Sequence, residues 1–209
     1  FKPLPRSGDV VRIKSQELLT KSARMEFPSC LPRMLNSVVS RRHLETLKDR
    51  FGSVFSSLSP DFSFCYRTLD ACASILFYDR SVLVTYGLDR SNGNSMARGV
   101  ATRDSDDFVN SSPSGRLNFV SPYPEFHTVG NAIVHEYLVA KAASRQEKFQ
   151  EISKDCYLLM LATEVRRYAD KHQVKTSLER LRLLGWTDSW SSMLRRWRLL
   201  ATEAVLGGL

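Results

Sequence analysis

The amino-acid sequence predicts an α+β fold, with a mainly helical C-terminal half and a small antiparallel hairpin or sheet in the middle of the chain. Three observations predict this class. Apolar residues recur at three- and four-residue steps over 40–58 and again within 128–206. Residues that favour β-strands fill 73–78 and 82–86. The pair Asp79-Arg80 between these two runs is typical of a turn, so the runs are expected to pair as a hairpin.

The first 39 residues are predicted to form an extended basic arm that carries one short helix. Pro3 and Pro5 fix the backbone φ near their positions, and a strand-like run follows at 10–13. The short helix is expected over 16–25. Residues 40–209 are then predicted to fold as a single α+β domain.

The predicted domain begins with an amphipathic helix over 40–58, which contains Gly52 despite the low helix propensity of glycine. A β region is expected over 62–120, although 62–69 could form either a strand or a helical turn. Within that region, 88–116 is rich in Ser, Asn, Asp and Gly and is predicted to be a long polar loop.

The helical region is predicted over 128–206, with Thr128 as the first N-cap. The apolar pattern that follows fits either one long helix or two successive ones. A shorter helix is expected to stop at Gly185, and a final helix is expected to carry Trp190 and Trp197.

The net charge of +8 is concentrated at the two ends of the chain. Residues 1–50 carry +6, 51–163 carry −2 and 164–209 carry +4, and arginine outnumbers lysine. Arginine forms bidentate contacts with phosphates, so RNA is the expected polyanion and the ends are expected to contact it. The predicted phosphate-binding residues are Lys2, Arg6, Arg12, Lys14, Arg41, Arg42, Arg166, Arg167, Arg195, Arg196 and Arg198.

The three tryptophans lie among basic residues near the C-terminal end of the chain. Trp186, Trp190 and Trp197 could pack in the core, bind a protein partner or stack on RNA bases. Neighbouring protein subunits are therefore the second class of partner that the sequence predicts.

No catalytic or metal-binding signature is present in the sequence. His135-Glu136 begins a zinc-protease pattern, but Val139 stands where the second histidine is required. Neither a nucleophile elbow nor a phosphate-binding glycine loop is found, and no cofactor or metal is expected. An enzyme would need a site assembled from residues remote in sequence, for which the candidates are His127, His135, Glu136, Asp104 and Cys65.

Four cysteines without a CxxC pair predict reduced thiols rather than a zinc site or a disulfide framework. The expected compartment is therefore intracellular and reducing, and the mitochondrial matrix is one such compartment that would fit. No apolar run approaches the roughly 20 residues needed to cross a bilayer. RNP aromatics, KH glycine loops, zinc knuckles and homeodomain patterns are also absent.

Together these features predict a non-catalytic structural or accessory subunit of a large RNA–protein assembly, for which an organellar, mitochondrial ribosome is the specific expectation. The partners would be an RNA of ribosomal type and neighbouring subunits. A protein-only scaffold subunit is the first alternative, and an enzyme with a remotely assembled site is the second.

Overall fold

A computed structural model describes residues 7–55, 58–80, 119–168 and 171–187, with side chains described at all of these except 167–168 and 171–173. The described residues divide into two compact units. The first contains 7–55, 58–80 and 136–153, and the second contains 119–135, 154–168 and 171–187. The elements in chain order are β1 (Val10–Lys14), α1 (Ser15–Ala23), α2 (Arg41–Phe51), α3 (Pro60–Ala71), β2 (Ser74–Tyr78), α4 (Val129–Ala143), α5 (Lys154–Tyr168) and α6 (Lys171–Leu183). This content confirms the α+β class.

The sheet of the first unit has two antiparallel strands, β1 and β2. Val10 lies opposite Tyr78, and Lys14 lies opposite Ser74. The strands predicted at 10–13 and 73–78 are confirmed, and the described partner of β2 is β1. The predicted hairpin partner at 82–86 lies outside the described residues, as do 88–116.

The helix predicted over 40–58 is shorter in the structure, where α2 ends at Phe51. Ser40 is the N-cap, and its hydroxyl accepts a hydrogen bond from the His43 backbone N–H at 3.2 Å. Gly52 takes a left-handed φ of 73°, and its N–H donates to the Lys48 carbonyl at 2.8 Å. This glycine C-cap ends the helix, so the predicted extension to residue 58 was wrong.

The predicted β region begins later than residue 62, because Pro60–Ala71 forms α3, and of the two alternatives left open for 62–69 the helical one is correct. Pro60 occupies the first helical turn, where its missing N–H costs nothing. Residues 63–70 are all buried. A helix that is buried on every side shows no single apolar stripe, and this is why periodicity did not identify α3.

The apolar core of the first unit joins α2 and α3. Leu47, Val54 and Phe64 form a buried cluster, against which Phe51 and Leu44 pack. The helix α1 contacts both α3 and the sheet. The predicted helix at 16–25 is thereby confirmed as α1, two residues shorter at its C-terminal end.

A row of aromatic rings extends this core. Phe62 lies beside Tyr66, and Tyr66 meets Tyr137 edge to face, with 5.2 Å between the ring centroids. Tyr137 meets Phe149 in the same way at 5.1 Å, and its hydroxyl donates to the Gln150 carbonyl at 2.9 Å. The row links α3 to residues that follow it by more than 60 positions in the sequence.

A buried polar network lies at the end of α3 and is centred on Asp70, which has no exposed surface. The Asp70 carboxylate accepts from the Arg50 guanidinium and from the Ser144 hydroxyl, each at 2.5 Å. The Lys148 ammonium donates to the Asp70 carbonyl at 2.7 Å and to the Cys72 carbonyl at 3.1 Å. The network therefore connects α2, α3 and the segment at 144–148.

In the second unit, α5 packs against α6, and Gly130 near the start of α4 contacts α5. Thr128 is the N-cap, as predicted, and accepts from the Asn131 N–H at 3.2 Å. A Cβ at Gly130 would lie 2.6 Å from the Met160 sulfur, so a larger residue there would require the Met160 and Glu164 side chains to move. The Gly130 N–H donates to the Glu164 carboxylate at 2.9 Å, and this bond satisfies an unpaired donor at the start of α4.

The C-terminal helices follow the predicted order. Residues 128–168 form two helices, α4 and α5, rather than one long helix. The stop predicted at Gly185 is confirmed, because α6 ends at Leu183 and Gly185 takes a φ of 101°. The predicted final helix with Trp190 and Trp197 lies outside the described residues.

Candidate nucleic-acid interface

One face of the two-stranded sheet is open and carries cations beside an aromatic ring. Side chains alternate across a strand, and directly opposite residues in an antiparallel pair share a face. The register therefore places β1 residues 10, 12 and 14 on the same face as β2 residues 78, 76 and 74. We call these six residues the sheet face: Val10, Arg12, Lys14, Ser74, Leu76 and Tyr78.

The sheet face is exposed to solvent, whereas the opposite face is partly covered. Val10 is 63% exposed, Leu76 is 64% exposed and Tyr78 is 43% exposed. On the other face, Val11 is 46% exposed, and Ile13, Ile75 and Phe77 are half-buried. Exposed apolar and aromatic side chains on a sheet are typical of a contact surface rather than of a core.

The charge on the sheet face is positive. Arg12 and Lys14 are both exposed, and one Arg12 nitrogen donates to the Ser74 hydroxyl at 3.1 Å. The Arg80 guanidinium lies 5.8 Å from the centre of the Tyr78 ring, within cation–π range. No member of the sheet face is acidic. The sheet face therefore carries two cations, Arg12 and Lys14, and a third cation, Arg80, lies beside its aromatic ring.

Asp79, the residue that follows β2, directs its carboxylate into a turn. Asp79 accepts from both the backbone N–H and the hydroxyl of Ser7, at 2.9 and 3.1 Å. The Gly8 N–H donates to the Asp79 carbonyl at 3.0 Å. These bonds hold Arg80 beside Tyr78, because they fix the backbone that carries both residues.

A second basic group lies at the start of α2. The Arg41 side chain is 93% exposed and pairs with Glu45 one turn later at 3.2 Å, and Arg42 is exposed as well. An exposed pair of this kind contributes roughly 0.3–0.5 kcal/mol. Cations in the first turn of a helix are electrostatically unfavourable. Local helix stability therefore gives these two arginines no favourable role beyond the weak Arg41–Glu45 pair.

Of the predicted site residues in the C-terminal half, Arg166 and Trp186 contact each other. Arg166 is half-buried, and its guanidinium lies 4.8 Å from the centre of the Trp186 ring. Arg182 lies 5.8 Å from the same ring, and Trp186 itself is only 4% exposed. The ring is thus covered by cations of its own unit. The Arg167 side chain lies outside the described part of the chain.

The structure brings Arg12 and Lys14 together, and it adds two residues that the sequence did not single out. In the sequence, Tyr78 ends a predicted strand and Arg80 lies in the predicted turn that follows. The available signal was the aromatic-basic spacing of Tyr78 and Arg80 at the end of a β-forming run. The following predicted site residues lie outside the described residues: Lys2, Arg6, Trp190, Arg195, Arg196, Trp197 and Arg198.

The two candidate catalytic histidines, His127 and His135, both contact the ring of Phe119. The rings of His127 and His135 lie 5.7 and 6.2 Å from the Phe119 ring centre. The His135 Nδ1 accepts from the Val120 N–H at 2.9 Å. Burial lowers the pKa of His135, so its ring is neutral near pH 7. The observed role of His135 is thus to bind backbone.

The other described enzyme candidates, Glu136 and Cys65, are buried in the fold. Glu136 is 1% exposed, and one of its carboxylate oxygens accepts from the Ser59 N–H at 2.9 Å, beside the start of α3. Cys65 has no exposed surface, and burial raises its pKa far above the ordinary value. Asp104 lies outside the described residues. Glu136 and Cys65 therefore occupy positions inside the core of the first unit.

We expect stability to decline in mildly acidic solution because of His43 and His135. Burial lowers the pKa of both groups below the unfolded value near 6.5. Their contribution is therefore fully present above pH 6.5 and is lost as pH falls through the lowered folded values. Each histidine can add a slope of at most about 1.4 kcal/mol per pH unit.

Urea unfolding at several pH values measures this slope. His43→Gln should flatten the curve, because it removes one of the two rings whose pKa burial lowers. A wild-type curve that is flat between pH 7 and pH 5 would contradict the assignment.

Within the described ranges, no helix is both long and apolar enough to cross a membrane. Nor do three or more His, Cys, Asp or Glu side chains converge there as a metal site would require. Comparisons of the sequence with protein-family models, with curated proteins and with solved structures found no match.

Proposed function

We propose that this protein is a non-catalytic, RNA-contacting subunit of a large RNA–protein assembly. The sheet face is the observation that carries the proposal. Arg12 and Lys14 supply phosphate contacts, and Tyr78 offers an exposed ring on which an unpaired base can stack. The specific assembly proposed is an organellar, mitochondrial ribosome, as the sequence predicts.

Arg80 suits the same role. Its guanidinium is planar and keeps its charge at any physiological pH. Its position beside Tyr78 places a cation next to the stacking ring, so one nucleotide could meet both its base contact and its phosphate contact there. Binding of this kind depends on charge and stacking, so it is tolerant of sequence and sensitive to salt.

The test is binding of the purified chain to a short single-stranded RNA, followed by fluorescence anisotropy at about 50 and 200 mM salt. Affinity should fall steeply with salt in the wild type. Arg12→Glu with Lys14→Glu should weaken binding and reduce the salt slope by about 1.4, or about 0.7 for each lost phosphate contact on a single strand. Tyr78→Ala should cost about tenfold in affinity with little change in the slope.

A matched control keeps the same change in net charge. Lys175→Glu with Arg180→Glu alters two exposed cations of α6, away from the sheet in sequence. This control should bind nearly as the wild type does. Equal losses in both double variants would mean that only net charge matters, and no binding at either salt would refute the proposal.

A protein partner is the alternative, and one specific surface favours it. Leu35 is 66% exposed and Val38 is fully exposed, just before Arg41. Exposed apolar side chains next to cations are common in protein interfaces. A purified chain that carries no excess absorbance at 260 nm, together with no affinity for RNA, would favour this scaffold function.

A further inference from the structure

The thiol of Cys72 faces an imidazole in the first unit. Cys72 follows the last residue of α3, and its sulfur lies 3.8 Å from the Nδ1 atom of His43 on α2. The other ring nitrogen of His43, Nε2, lies 3.1 Å from the Thr68 hydroxyl. The ring is therefore held between a hydroxyl and a thiol by two packed helices.

The Thr68 contact orients His43 for proton transfer. When Nε2 carries the ring proton and donates it to Thr68, Nδ1 presents its lone pair to the Cys72 thiol. Burial lowers the pKa of His43, so the ring is neutral and able to accept a proton at pH 7. Thr68 is itself buried, at 4% exposure, so this hydrogen-bond partner of the ring lies inside the fold.

The charges around Cys72 are cationic but do not ionise the thiol. Burial raises the pKa of Cys72, and Lys148 and Arg50 oppose that effect. Arg50 is also paired with the carboxylate of Asp70, and this pairing offsets part of its charge. At neutral pH the group is thus a thiol rather than a thiolate. Its reaction as a nucleophile requires a base, and His43 occupies the position of one.

The other cysteines lack this arrangement in the structure as described. Cys65 is fully buried. Cys30 is half-buried and its pKa is raised, mainly by burial. Cys156 and Cys72 are both half-buried, so Cys156 is the matched cysteine for comparison. Among the described residues, Cys72 is the cysteine whose sulfur contacts an imidazole ring.

We propose that Cys72 and His43 form a thiol-modification site that exchanges with low-molecular-weight disulfides, such as glutathione disulfide. The Cys72 sulfur attacks one sulfur of the small disulfide while His43 Nδ1 takes the thiol proton. A mixed disulfide forms, the original S–S bond breaks, and the leaving thiolate receives the proton from His43. The small disulfide is the oxidant, and one small thiol is released.

The test follows each cysteine of the folded full chain during incubation with glutathione disulfide, by mass spectrometry after digestion. At pH 7, Cys72 should form the mixed disulfide at least about tenfold faster than Cys156, in line with general-base assistance. His43→Gln should lower the Cys72 rate by at least about tenfold and leave the Cys156 rate unchanged.

The pH dependence separates a base from a structural support. In the wild type, the Cys72 rate should reach a plateau once His43 is neutral. In His43→Gln, the rate should instead rise about tenfold per pH unit, because only the thiolate reacts. An unchanged rate in the variant, a rising wild-type profile without a plateau, or a Cys72 rate no greater than that of Cys156 would overturn the proposal.

Discussion

Asp70→Asn should lower the free energy of unfolding by about 3 kcal/mol. The substitution keeps the size of the side chain but removes its charge, and the Asp70 side chain has no exposed surface. The Arg50 guanidinium, only 23% exposed, then loses its ionic partner at 2.5 Å. A cation left without its partner in a partly buried position costs more than the pair itself contributes.

Urea unfolding of the full chain measures this loss. Asp49→Asn, at an exposed acid of α2, is the control and should change stability by no more than about 0.5 kcal/mol. The variant Arg50→Met combined with Asp70→Asn should cost less than the two single changes added together, by at least about 1 kcal/mol. Additive costs would show that the two side chains do not interact.

Tyr137→Ala should cost about 4 kcal/mol, because it removes a buried ring from the middle of the aromatic row. Tyr137 is 1% exposed, and its ring contacts those of Tyr66 and Phe149 at the two centroid distances of 5.2 and 5.1 Å. The space left behind is flanked by rings of two other segments, which cannot collapse into it without moving α3.

Tyr137→Phe separates the ring from its hydroxyl. This variant keeps the ring contacts and loses the hydrogen bond to the Gln150 carbonyl, so it should cost about 1 kcal/mol. Tyr78→Ala, at a ring that is 43% exposed, should change stability much less than Tyr137→Ala. Similar losses for Tyr78 and Tyr137 would contradict the assignment of the core. Thermal or urea unfolding of the three variants decides the matter.

Sequence patterns correctly predicted the elements whose strand character or ends are set by local residues. The strand at 10–13 contains β-branched residues, and Thr128 and Gly185 mark helix ends through capping chemistry that needs no tertiary partner. The end of α2 was missed because its apolar spacing continues beyond Gly52, and the glycine C-cap prevails over that pattern.

The candidate sites were harder to predict for a different reason. Arg12 and Lys14 were identified by charge, but their association with Tyr78 depends on strand register, which joins positions far apart in the chain. The contact between His43 and Cys72 depends on how α2 packs against α3. No spacing rule in the sequence connects residues brought together in that way.

The described part of the first unit comes from two stretches of chain that are far apart in sequence, with consequences for its synthesis on the ribosome. Gln16 donates to the Lys148 carbonyl, and the Ser153 N–H donates to the Ala23 carbonyl. At about 5–20 residues per second, several seconds separate the emergence of these partners. Until then Tyr66 lacks its neighbouring ring and Asp70 lacks its hydroxyl donor, so the nascent chain is open to premature association during that interval.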